Sequence, residues 1–192
     1  YTVNSTVSGE NDYGEFKVTR AYLDIRKYFD RKGESYFRTT VDVYKDSDGS
    51  YTVRLKYAYL NWRINKFLAT EVGLAHRPWI DWEEHHGWLH RDVDKTFIED
   101  RDGAHLINSA DVGITLKGKV NRWGYMFGIY NGEGYHGAEN DQHFGKSVEG
   151  RVDYTLGRLT TALHVAYIDN QNEADRLIVQ PWMGFKNEKF LV

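Results

Sequence analysis

The chain of 192 residues contains no cysteine. Disulfides, thiolate metal centres and thioether-linked haem are therefore excluded. Only two prolines are present, so little interrupts a backbone hydrogen-bond ladder. No run of about 18 apolar residues occurs, which rules out a spanning helix. An excess of one charge sign is missing too. The chain has 25 Lys and Arg against 28 Asp and Glu, a net charge of −3. That balance leaves no electrostatic footprint for nucleic acid, and no nucleic-acid partner is expected. The sequence also lacks G-x-S-x-G, H-E-x-x-H and phosphate-cradling glycine motifs, so no enzyme is expected. Asp102, His105 and Ser109 are triad residue types, but their crowding into one loop gives no reason to expect triad geometry.

What the sequence has instead is alternation. In Ser35–Tyr44, Ser35, Phe37, Thr39, Val41 and Val43 fall on one parity, and Tyr36, Arg38, Thr40, Asp42 and Tyr44 on the other. Successive strand side chains point to opposite faces, so this stretch has one mostly apolar and one polar or charged face. About ten residues is also the length a tilted strand needs to cross a bilayer. A half-buried strand of a soluble sheet reads the same way, so the argument rests on recurrence. The pattern recurs over Tyr1–Val7, Phe16–Lys27, Tyr51–Ile64, Phe67–Ala75, Ala110–Val120, Trp123–Asn131, Val148–Leu156, Leu159–Tyr167 and Leu177–Phe185. Another strand is expected to start at Lys189–Val192. In Tyr51–Ile64, Val53, Leu55, Tyr57 and Tyr59 share the apolar parity, but past Ala58 the other parity becomes apolar, with Leu60, Trp62 and Ile64. A bulge is expected near Phe16 and Val18, where apolar residues fall on the charged parity.

Connections sort by length. Those near 30, 65, 121, 157 and 187 read as short, and those near 10, 47, 76–109, 132–146 and 169–176 as longer. Tight turns at one end and long loops at the other are the pattern of an outer-membrane barrel. The 18 glycines supply turns, and the 14 Tyr and 6 Trp suit interfacial girdles or a carbohydrate-binding surface. The expected fold is all-β: a transmembrane antiparallel up-and-down β-barrel with about ten strands in this chain, in a single domain over residues 1–192. The lipid bilayer and lipopolysaccharide are its expected surroundings. An exported protein of this sequence would be the processed form.

Several segments resemble the phosphate-selective porin O and P family. They are RAYLDIRKYF (Arg20–Phe29), YFRTTVDVY (Tyr36–Tyr44), VRLKYAYLNW (Val53–Trp62), EVGLAHRPW (Glu71–Trp79), SADVGITLKGKV (Ser109–Val120), YMFGIYNGEG (Tyr125–Gly134) and GRVDYTLG (Gly150–Gly157). The resemblance implies a sixteen-stranded, homotrimeric channel in the bacterial outer membrane, one of the larger barrels that leave an aqueous lumen. It also implies that the long loop, His76–Ser109, folds into the lumen as a constriction. Because the chain shows fewer strands than that and stops early in one, it is expected to be part of a longer protein. Phosphate affinity is not carried onto individual residues.

The parities place the candidate pore wall. Its basic members are Arg20, Arg26, Arg38, Arg54, Lys56, Arg77, Lys117, Lys119 and Arg151. Its acidic members are Asp24, Asp42, Glu71, Asp111, Glu149 and Asp153. Bases outnumber acids, which biases a pore toward anions; a charge-balanced wet wall is the competing reading. The candidate constriction carries Trp79, Asp81, Trp82, Glu83, Glu84, His85, His86, Trp88 and His90. Its acids, with Asp92, Asp94, Glu99, Asp100 and Asp102, are expected to face the basic wall and set up a transverse field. A short helix is expected within Asp81–Arg91. On it His86 and His90 would share a face at zinc-ligand spacing, but the expected reading is a polar loop with no metal and no cofactor. The three Trp are expected to wedge the loop against the wall rather than form a sugar track. Trp62, Trp123 and Trp182 read as interface belts, with an inward Trp182 as the alternative. The expected function is passive diffusion of small polar or anionic solutes. Two rivals remain open: a barrel that sheathes or scaffolds a partner such as a multihaem cytochrome, and a soluble aromatic-rich carbohydrate-binding or hydrolase domain.

Overall fold

The computed structural model describes residues 20–46, 48–91, 95–100, 103–135, 137, 145–169 and 174–186. Nine strands account for most of them: β1 (Arg20–Tyr28), β2 (Tyr36–Lys45), β3 (Tyr51–Arg63), β4 (Leu68–His76), β5 (Ala110–Val120), β6 (Trp123–Tyr130), β7 (Ser147–Leu156), β8 (Leu159–Ile168) and β9 (Arg176–Phe185). They form one antiparallel up-and-down sheet in sequence order. Among the described residues β1 and β9 are its edges. The expected strands at 1–7 and 189–192 and the expected bulge at 16–18 lie outside the described residues.

The alternation read from the sequence becomes two unlike faces. One exposes Leu23, Ile25, Val53, Leu55, Val72, Ile114, Leu116, Phe127, Ile129, Leu163 and Val179. The other buries Thr40, Asp42, Asn61, Glu71, Asp111, Thr115, Glu149 and His164. This reverses the usual arrangement of a water-soluble sheet, in which the apolar face is covered.

β3 departs from simple alternation. Thr40 pairs with Tyr57 and Val41 with Leu55, so Lys56 opposes no residue of β2. This is a bulge, and Lys56 and Tyr57 are buried side by side. Tyr57 and Tyr59 therefore face the charged side, not the side of Val53 and Leu55 as the unbroken parity implied. The same extra residue explains why Trp62 returns to the exposed face.

The turns follow from local chemistry. The β5–β6 and β7–β8 hairpins have positive φ at Asn121 (54°) and Gly157 (61°), residue types that tolerate this region. At the same end lie the 29–35 and 64–67 connections; at the opposite end lie 46–50, 77–109, 131–146 and 169–175. One expectation is reversed, because the connection at 29–35 is longer than that at 46–50. Asp30 builds the longer turn itself. Its carboxylate accepts backbone N–H groups from Lys32 (2.9 Å), Glu34 (3.1 Å) and Ser35 (2.6 Å). Those donors, that of Glu34 first, hold its carboxyl below the usual carboxylate range.

The main apolar core lies on the charged side of the sheet. Trp79, Ile80, Trp82, Ile98 and Ile107 of the β4–β5 connection pack on Ala162, Ala166 and Ile168 of β8 and Ile178 of β9, with Trp182 against them. A smaller cluster holds Tyr57, Tyr59, Ala75 and Ala110.

Candidate functional site: the charged face and the connection packed on it

The structure places the described candidate wall side chains on one face and couples most of them in pairs. Asp24 accepts from Arg38 (2.5 Å) and Arg26 (3.0 Å), and Asp42 pairs with Arg54 at 2.9 Å. Glu71 binds Lys117 and Glu149 binds Arg77. Arg151 Nη1 lies 3.1 Å from Asp153. Asp111 accepts the backbone N–H of Gly132 (2.7 Å) and of Val112 (2.7 Å). Lys56 reaches the Tyr22 hydroxyl (3.3 Å) and lies 4.8 Å from that ring's centre. Lys119 is exposed. Arg20 is in β1, but its side chain lies outside the described residues. The wall is thus largely a mesh of neutralising pairs, in which most of the acids hold a neighbouring base.

The Arg77–Glu149 pair fixes the connection to the sheet. Arg77 directly follows β4, is 1% exposed, and reaches Ser147 Oγ (3.2 Å) as well as Glu149. The second oxygen of Glu149 faces His164 at 3.6 Å. Gln180 meets the other nitrogen of His164 at 2.8 Å, and Trp79 stacks on its ring at 5.3 Å. A buried ion pair broken on one side is strongly destabilising, so this network ties the start of the connection to β7, β8 and β9.

Within the connection, α1 (Ile80–Glu83) continues as a π-helical turn over Glu84–Trp88. Leu89 then adopts a left-handed conformation (φ 53°) and ends it. His90 therefore lies beyond the helix, and the shared face expected for His86 and His90 is not formed. His86 instead stacks on Trp82 at 4.5 Å. Among the described residues no group of three or more His, Asp or Glu is gathered as a metal site. His105 Nδ1 meets the Glu99 carbonyl at 3.3 Å, while Asp102 lies outside the described residues. Trp79 and Trp82 are buried and Trp88 is exposed. Trp182 points to this side and meets Trp82 edge-on at 5.1 Å, so it is not part of an outer belt. The Trp79 and Trp82 side chains are wedges, with no open face for a sugar ring.

The acids of the connection are mostly engaged. Glu83 accepts the Trp79 indole N–H (3.0 Å). Glu84 pairs with Arg91 at 2.6 Å, and Glu99 faces Arg91 and Lys95, each at 3.9 Å. Burial pushes the Glu83 and Glu84 carboxyls up. His85 is raised by its bond to the Asp81 carbonyl (2.6 Å) and by the Asp81 charge. Asp92, Asp94 and Asp102 lie outside the described residues. Of the described acids in the connection, only Asp81 reaches the open space left beside it. Among the described residues, the expected acidic front is represented in this cavity by Asp81 alone.

That open space is a cavity of about 710 Å³ between the helical turn and β1–β7. Its cations are Arg26, Arg38, Arg63, Arg77, Lys117, Lys119 and Arg151; its carboxylates are Glu34, Glu71 and Asp81. Tyr36, Tyr59, Asn61, His76, His85 and His86 complete much of the lining. No family model, curated protein or solved structure matches this chain. Sequence reasoning missed Arg63, Asn61 and Tyr59 as cavity residues. The available signal was the change of parity after Ala58, which moves odd-numbered residues of β3 to the charged side.

Proposed function

We propose that this chain forms the wall of a water-filled β-barrel channel in a bacterial outer membrane, through which small hydrophilic solutes diffuse passively. The single observation that carries the reading is the reversal of faces: large apolar side chains stand uncovered across β1–β9 while carboxylates and guanidinium groups are buried on the other side. Hydrocarbon is the solvent that suits such an exterior, and water suits such an interior. In a bilayer the outer edges of β1 and β9 must also be paired, because free N–H and C=O groups are not tolerated there. The channel is therefore a closed ring, and the porin O and P resemblance supports sixteen strands and a homotrimer. The 77–109 connection narrows the lumen from the β8–β9 side. The surplus of Arg and Lys around the remaining cavity gives a mild preference for anions. Diffusion of this kind needs no cofactor.

Planar-bilayer recording on the purified, folded protein tests this. Stepwise ohmic conductance is the expected result. Silence from a correctly folded sample overturns it in favour of a barrel that encloses or scaffolds another protein. Stable solubility without detergent overturns the membrane reading itself.

A further inference from the structure

Four side chains lining the cavity are each more than nine-tenths buried and each have a polar atom without a hydrogen-bond partner. They are Asn61 (4% exposed), Glu71 (0%), Trp82 (7%) and Arg151 (8%). The unpartnered atoms are Asn61 Oδ1, Glu71 Oε2, Trp82 Nε1 and Arg151 Nε. Leaving buried polar atoms unmet is costly, so such atoms mark where another molecule's hydrogen bonds belong.

Their arrangement is two-sided. Asn61 and Glu71 are register partners on β3 and β4 and offer acceptors. Lys117 already holds the other oxygen of Glu71. Arg151 on β7 lies over the Trp82 ring at 5.0 Å, and together these two offer donors. Arg151 is an indole-backed cation, a geometry that suits a planar anion. A bare inorganic anion satisfies the donor side only and meets the Glu71 charge on the other. Asp153 lies on Arg151 Nη1 and leaves its Nε free; a neutral sugar satisfies the acceptors but brings no negative charge to a lining in which seven Arg and Lys face three carboxylates. A hydroxylated carboxylate answers both sides, with its carboxylate on Arg151 and Trp82 and its hydroxyls donating to Asn61 and Glu71.

We propose that the cavity binds small polyhydroxylated carboxylates of the sugar-acid type, between the Asn61–Glu71 pair and the Arg151–Trp82 pair. The proposal rests on the channel reading for its meaning, because it names the solute class that is held on the way through.

Its test needs no bilayer, so its outcome is separable from that of conductance. Titration calorimetry on the folded full chain in detergent uses D-glucuronate as probe, with D-glucose and inorganic phosphate as comparators. Glucuronate should bind more tightly than either. Arg151→Gln should weaken it about tenfold or more, and Trp82→Phe, which keeps an aromatic ring and removes the indole N–H donor, about two- to tenfold. Phosphate binding as tightly as glucuronate identifies a general anion site and overturns the proposal. Glucose binding as tightly does the same in favour of a neutral sugar site. Absence of glucuronate binding by folded protein, or glucuronate affinity unmoved in both variants, also overturns it. Conductance without glucuronate binding leaves the channel standing and removes this site; binding without conductance does the reverse.

Discussion

Replacing Ile114 with arginine separates a membrane wall from a water-facing sheet by a wide margin. Ile114 is 57% exposed at the middle of β5 and points away from the charged face. β5 runs from Ala110 to Val120. At about 3.4 Å per residue and a tilt near 40°, it covers roughly 26 Å along the membrane normal, close to a full apolar band. Ile114 then sits near the midplane, where an arginine costs about 2–4 kcal/mol. In water the same exposed position would tolerate arginine within about 0.5 kcal/mol. The depth dependence is a second signature. Val112, Ile114 and Leu116 lie on one face at steps of about 7 Å, so the cost should peak at the centre and fall toward Val120. The assay is urea-induced unfolding from lipid vesicles, followed by tryptophan emission and heat-modifiable gel mobility. A loss under about 0.5 kcal/mol at Ile114, or a cost flat along β5, refutes the assignment of this face to lipid.

Arg77→Met leaves Glu149 buried without its cation and should cost about 3–5 kcal/mol; protease cleavage within 77–109 should appear well before the strands unfold, and an intact connection counts against its anchoring role. Glu83, Glu84 and His85 all have raised pKa values, so folding favours their protonated forms. Their stabilising contribution is full below their unfolded values and is lost as pH rises through the folded ones. The helical turn at 80–88 should accordingly loosen from acid toward alkaline pH, with a red shift of Trp79 and Trp82 emission that Glu83→Gln reduces; a blue shift contradicts it. Gly73→Ala should cost about 2 kcal/mol or more in a urea midpoint, since φ is +123° and a Cβ would stand 2.4 Å from the Ala58 carbonyl oxygen. Changing Arg26, Arg63 and Lys119 together to glutamine should lower anion-over-cation permeability, and an unmoved reversal potential in a salt gradient would reject that assignment.

Strand existence and facing were legible because period two is a local property that needs no partner. β5, β6 and β7 show this most clearly, with Ile114, Phe127 and Val148 out and Thr115, Met126 and Glu149 in. Tyr57 and Tyr59 were not, because a bulge is a relation between two strands and leaves only a change of parity in one. The landing pad for the connection left a trace that went unread. β8 is apolar on both parities, with Ala162, Ala166 and Ile168 opposite Leu163 and Val165, which is how a strand covered on both sides reads. The Arg77–Glu149 pair left none, since its members are 72 positions apart and no pattern joins them.

The connection that leaves β4 comes to rest on β8 and β9, which the ribosome makes much later. Until β8 and β9 zip onto the sheet, Trp79 and Ile80 have nowhere to settle. Contacts that span so much chain form slowly, so the connection settles only after the nine strands have begun to pair. A sheet caught before β8 and β9 dock leaves Trp79, Ile80 and Trp82 uncovered, and a cell making this protein must keep that stage brief.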